Sequence, residues 1–96
     1  MTVVLFWLPI LAQALEPSEI VVVANSSVSG SVDLARYYME KRGIPRDHLV
    51  RIRTTDKQFC SRDTYNNEIA TPVRDFLKER VNPASIRCLV TMYGVP

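Results

Sequence analysis

The chain predicts an α/β fold, a three-layer parallel sheet with strand order 2-1-3, and three observations predict it. Strand-like and helix-like patterns alternate without exception after Pro17, which is the signature of a parallel sheet linked by crossover helices. The first and third strand runs are apolar on both faces, as strands covered on two sides must be. The second run is wet on one face, which suits a sheet edge.

The first strand is the β-branched run Ile20-Val21-Val22-Val23-Ala24. A polar, Ser-rich loop follows, from Asn25 to Ser31. Val28, Val32, Ala35 and Met39 then recur at helical spacing, and Gly43 before Ile44-Pro45 supplies the stop. In the second strand, His48 to Thr54, Val50 and Ile52 share one face while Arg51 and Arg53 share the other. Ser61 is placed to cap the second helix, with Asp63 in its first turn. Tyr65, Ile69, Val73, Phe76 and Leu77 form its apolar stripe. Pro72 falls inside that stripe and cannot donate to the Glu68 carbonyl. Two readings stay open: a kinked helix, or a break with Thr71 as N-cap and Pro72 at the first helical position. The third strand, Ile86 to Tyr93, is apolar on both sides apart from Arg87.

Strands one and three therefore belong to the interior and strand two to an edge, giving the order 2-1-3 by right-handed crossovers. The alternative order 3-2-1 would bury Arg51 and Arg53. An apolar third strand with no further neighbour is an open edge of the kind natural proteins avoid. The expectation is that residues 15–96 are the N-terminal part of a larger domain, truncated at Pro96. Strand pairing with a partner along that open edge is the other way to complete the sheet.

Residues 1–14 read as a signal peptide. Val3 to Leu11 is an apolar run broken only by Pro9, and Ala12-Gln13-Ala14 is a small-x-small triplet. The run is shorter than the roughly 20 apolar residues of a membrane-spanning helix. This predicts an exported protein, periplasmic, cell-envelope or extracellular, with no transmembrane segment in the mature chain. The composition is 47 % apolar and 23 % charged, with 12 Lys and Arg against 10 Asp and Glu. So balanced a charge excludes a dedicated nucleic-acid partner, although Lys41, Arg42, Arg46, Arg51 and Arg53 crowd one stretch.

No constellation of residues carries a reaction. A Cys60–His48 dyad fails because the two sit at opposite ends of a strand, roughly 15–20 Å apart at about 3.3 Å per residue. A Cys60–Cys88 disulfide suits an exported protein but is poorly placed, with Cys60 at the top of the sheet and Cys88 near the bottom, so free thiols are expected. The single His and two distant Cys give no zinc spacing, and neither G-x-G-x-x-G nor a P-loop is present. No catalytic residue, cofactor or metal is expected. The candidate ligand site is the crevice above the C-terminal ends of strands one and three. Asn25, Ser26, Ser27 and Ser29 line one wall and Tyr93 and Gly94 the other. Hydroxyls, an amide and a helix N-terminus suit an anion, and the same residues also suit helix capping and a turn. Asn25-Ser26-Ser27 matches the N-glycosylation sequon.

Several longer stretches carry a resemblance: Val21-Val22-Val23-Ala24-Asn25, Ser31-Val32-Asp33-Leu34-Ala35-Arg36-Tyr37-Tyr38, Arg42-Gly43-Ile44-Pro45, Ile69-Ala70-Thr71-Pro72-Val73, and Ile86 through Pro96. On these the chain resembles an uncharacterised family of exported bacterial proteins found in species with exosortase-type sorting systems. The resemblance implies a cell-envelope association and assigns no catalytic residues. The strand order is also similar to the opening of caspase- and gingipain-like cysteine peptidases, whose His and Cys follow later strands. Three functions follow as expectations: an exported envelope protein whose present segment is non-catalytic; the N-terminal part of an exported hydrolase, a cysteine peptidase, with its catalytic pair beyond Pro96; or a small binding module that pairs its open strand with a partner.

Overall fold

In the computed structural model residues 15–96 are described; the expected signal peptide, residues 1–14, lies outside the described residues. A short 3₁₀ turn, Pro17–Glu19, leads into β1 (Ile20–Asn25). Val21, Val22 and Ala24 are 0 % exposed and Val23 2 %, so the β-branched run is covered on both faces. Each such valine stabilises the fold by about 1.5–3 kcal/mol over an exposed one, which makes β1 the keel of the sheet. It pairs in parallel with β2 (Leu49–Ile52) on one side and β3 (Cys88–Thr91) on the other, in the order β2-β1-β3. The order read from Arg51 and Arg53 is the order of the sheet. A 3₁₀ turn at Pro83–Ser85 precedes β3.

The two faces of β1 make two cores. Val22 and Ala24 pack with Ala35 and Met39 of helix α1 (Ser31–Arg42) and with Ile44. Val21 and Val23 pack with Val50, Ile52, and Ile69 and Val73 of helix α2 (residues 62–79). Helix α1 ends in a Schellman arrangement. Gly43 adopts φ 70°, its N–H donates to the Glu40 carbonyl at 3.3 Å, and the Ile44 N–H donates to the Met39 carbonyl at 2.9 Å. Ile44 and Met39 meet in the core beneath. A side chain at Gly43 would find open space, so Gly43→Ala is charged only for the left-handed backbone. The expected loss is about 1 kcal/mol in urea denaturation.

Helix α2 resolves the ambiguity at Pro72. Ser61 caps it, accepting from the Thr64 N–H at 3.1 Å. Three stretches then run on without a break: α-helical Arg62–Thr64, π-helical Tyr65–Ala70 and α-helical Thr71–Glu79. Thr71 has φ −65° and ψ −48° and donates to the Asn66 carbonyl, five residues back. An N-cap would be extended, so the reading of a break at Thr71 is overturned. Proline crowds the carbonyl four residues before it, and a widened π turn is the kind of insertion that accommodates such crowding within a helix. Ile69 and Val73 stay in the core on either side of the transition.

Strand β3 departs from the interior strand expected. Its sides differ: Val90, with Met92 just past the strand, packs into the α1 core, whereas Leu89 is 47 % exposed and Thr91 is exposed as well. Tyr93, in the turn that follows, is 69 % exposed. Leu89 lies beside Val21, on the face that α2 covers over β1 and β2 but leaves bare over β3. Among the described residues both β2 and β3 are edges of the sheet.

Candidate functional site

The C-terminal ends of the three strands meet at one residue. Asn25, the last residue of β1, is 0 % exposed. Its side-chain Nδ2 donates to the Thr55 carbonyl at 2.9 Å and to the Gly94 carbonyl at 2.9 Å. Its Oδ1 accepts from the Ser27 N–H at 3.0 Å and the Thr54 N–H at 3.2 Å. Its own N–H donates to Ser31 Oγ at 3.0 Å, and Ser31 is equally buried. One amide thus ties the loop after β1, the loop after β2 and the loop after β3 into a single junction. The helical start of α1 is fastened to it through Ser31.

Geometry distributes the candidate ligand residues unevenly. Asn25 and Gly94 are brought together, but by bonding to each other, so the two walls of the expected crevice touch. Val28 closes the same gap: a Cβ placed on Gly94 would lie 3.0 Å from Val28 Cβ and Cγ1. Ser26 is exposed, and its Oγ donates to the Ile52 carbonyl at 3.0 Å. Ser27 and Ser29, and Tyr93 in the turn after β3, are all exposed. Within the folded chain the Asn25 amide is inaccessible to glycosylation at its sequon, because Nδ2 is buried against two carbonyls.

The chain gives no significant match to any protein-family model, curated protein or solved structure.

Function therefore rests on what the residues can do. His48 stands at the start of β2 with Nδ1 2.9 Å from the Ile20 carbonyl, at the N-terminal end of the sheet. Cys60 follows β2 at the opposite end and packs against the α2-side core. Both Cys60 and Cys88 are free, half-buried thiols. No group of three metal-ligating side chains occurs among the described residues, and none of their helices is long and apolar enough to cross a membrane.

Two concavities were not anticipated from the sequence. One is an open hollow of about 500 Å³ lined by Gln58, Phe59, Cys60, Arg62, Tyr65 and Pro96. Phe59 is 81 % exposed there, and Arg62 lies 5.9 Å over the Tyr65 ring. Its sequence signal was a lone aromatic in the polar segment between Thr54 and Ser61. The other lies along β2 and is taken up below.

Beside the junction, Thr54 is 6 % exposed and its Oγ1 has no hydrogen-bond partner among the described residues. A buried hydroxyl without a partner is a net cost. Thr54→Val is therefore expected to stabilise the chain, by about 1 kcal/mol, read as a higher urea midpoint at unchanged slope.

Proposed function

We infer that this chain belongs to an exported, envelope-associated protein and acts by binding: it accepts an extended apolar strand from a partner along the free edge of β3. The observation that carries this reading is the bare strip on β3. Leu89 and Thr91 stand exposed on the face that α2 does not reach, directly beside the strand's free backbone edge. Added strands gain main-chain hydrogen bonds from such an edge and side-chain specificity from alternate pockets. Export is supported by the apolar run and small-residue triplet of residues 1–14.

The test is amide hydrogen exchange on the full chain, with and without an acetylated peptide alternating Val and Thr. Slowed exchange confined to β3 is the expected result. Leu89→Lys, which places a charge on the edge as natural edge strands do, should remove the protection while leaving β1 exchange unchanged. Protection absent from β3, or unaffected by Leu89→Lys, would sink the reading.

A further inference from the structure

On the other side of the sheet a groove of about 690 Å³ runs along the free edge of β2. Four of its lining side chains are arginines: Arg36 of α1, Arg46 of the loop before β2, Arg51 of β2 and Arg80 after α2. Only two carboxylates, Glu40 and Asp47, line it as well. All four arginines are exposed.

The backbone of β2 is open to the same groove. Val22 N–H donates to the His48 carbonyl at 2.9 Å, and Ser26 N–H to the Ile52 carbonyl at 2.8 Å. Backbone groups alternate in direction along a strand. Those of His48, Val50 and Ile52 therefore face β1, and those of Leu49 and Arg51 face the groove that both residues line. Guarding a bare edge against aggregation accounts for an arginine on β2 itself. It gives no reason for Arg36 and Arg80 to approach the same groove from the two helical layers. Phe76 lines the α2 side, with Arg80 5.9 Å over its ring.

We propose that this groove binds an extended acidic peptide, one in which Asp or Glu alternates with apolar residues, which adds to β2 as a further strand. Leu49 packs into the α1-side core, and Arg51, two residues on, shares its face. Residues of the incoming strand on that face meet Arg36 and Arg51, whose guanidiniums suit carboxylates. The alternate residues turn toward Phe76. The site is independent of the β3 edge, since the two lie on opposite sides of β1.

Fluorescence anisotropy on the full chain tests this with a labelled, acetylated peptide alternating Glu and Val. Binding should weaken as salt rises. It should fall at least about tenfold in Arg51→Glu and in Arg36→Glu, and persist in Arg51→Lys. Circular dichroism confirms that each variant is folded, and Arg46→Glu, in the loop before β2, replaces any that is not. The same peptide with Gln for Glu should fail to bind, as should one N-methylated at alternate amides. Equal binding of the Gln peptide overturns the charge recognition, and equal binding of the N-methylated peptide overturns strand addition. Tight binding of a sulfated oligosaccharide or an oligonucleotide with none of the peptide would make the groove a general polyanion surface and overturn the proposal entirely.

Discussion

Asn25→Ala is expected to remove about half of the fold's stability, among the largest effects of any single substitution. The amide serves two backbone donors, on Ser27 and Thr54, and two backbone acceptors, on Thr55 and Gly94. Alanine strands all four. A buried polar group left without a partner costs about 1–3 kcal/mol. Thr54 is fully enclosed, while water reaches the half-buried Thr55 and Gly94, so the expected total is about 3–5 kcal/mol rather than the full sum. A chain of this length commands a stability of only about 5–10 kcal/mol. Asn25→Asp separates hydrogen bonding from size: it keeps the volume and both acceptor positions but turns the donor toward two carbonyls into a second acceptor. It should destabilise at least as much as alanine. Urea denaturation followed by near-ultraviolet circular dichroism measures both. A loss below about 1 kcal/mol for Asn25→Ala would mean the three loops are held by something else.

The same residue shows what a sequence can and cannot carry. That β1 is central and β2 an edge was legible, because Val21 to Ala24 and the Arg51/Arg53 alternation state their surroundings directly, residue by residue. Gly43 and Ser61 were legible as helix ends for the same local reason. A polar residue at the end of a strand, however, signals a ligand contact and a structural clamp alike. What decides for Asn25 is the position of Thr54, Thr55 and Gly94, which lie 29 to 69 residues away. Pro72 was ambiguous on equally physical grounds. Its missing donor requires a disturbance, but only the need to keep both Ile69 and Val73 in one core selects a widened turn over a break. Strand β3 read as interior because Leu89 and Tyr93 are apolar. How far α2 extends across the sheet is a tertiary fact that alternation along β3 does not contain. The basic groove was half visible, as the crowding of Lys41, Arg42, Arg46, Arg51 and Arg53. Arg36 and Arg80 join it only through the packing of both helices against β2.

Gly94→Ala is expected to cost about 2–5 kcal/mol, and for two separable reasons. Gly94 has φ 100°, a conformation that strains a residue bearing a Cβ by about 1–3 kcal/mol. The added Cβ would also lie 3.0 Å from Val28 Cβ and Cγ1 and 3.2 Å from Cγ2. Rotating the valine does not relieve this, since Cβ stays where the backbone puts it. That backbone is pinned by Val28 N–H to the Asn25 carbonyl at 3.0 Å and by Ser31 N–H to the Val28 carbonyl at 3.1 Å. Val28→Ala therefore leaves one close contact in place, and only Val28→Gly removes all three. The decisive measurement is a double-mutant cycle in urea. In the Val28→Gly background the cost of Gly94→Ala should shrink to the backbone part alone, about 1–3 kcal/mol. An unchanged cost would show that backbone strain carries the whole effect and that the Val28 contact yields. The outcome bears on binding as well, because Gly94 follows Tyr93 directly and, held by Asn25 and Val28, fixes the direction in which the chain leaves the exposed face of β3. A Gly94→Ala chain that still folds should then lose the strand-peptide protection on β3 while keeping acidic-peptide binding at β2, since only the first depends on how that turn is held.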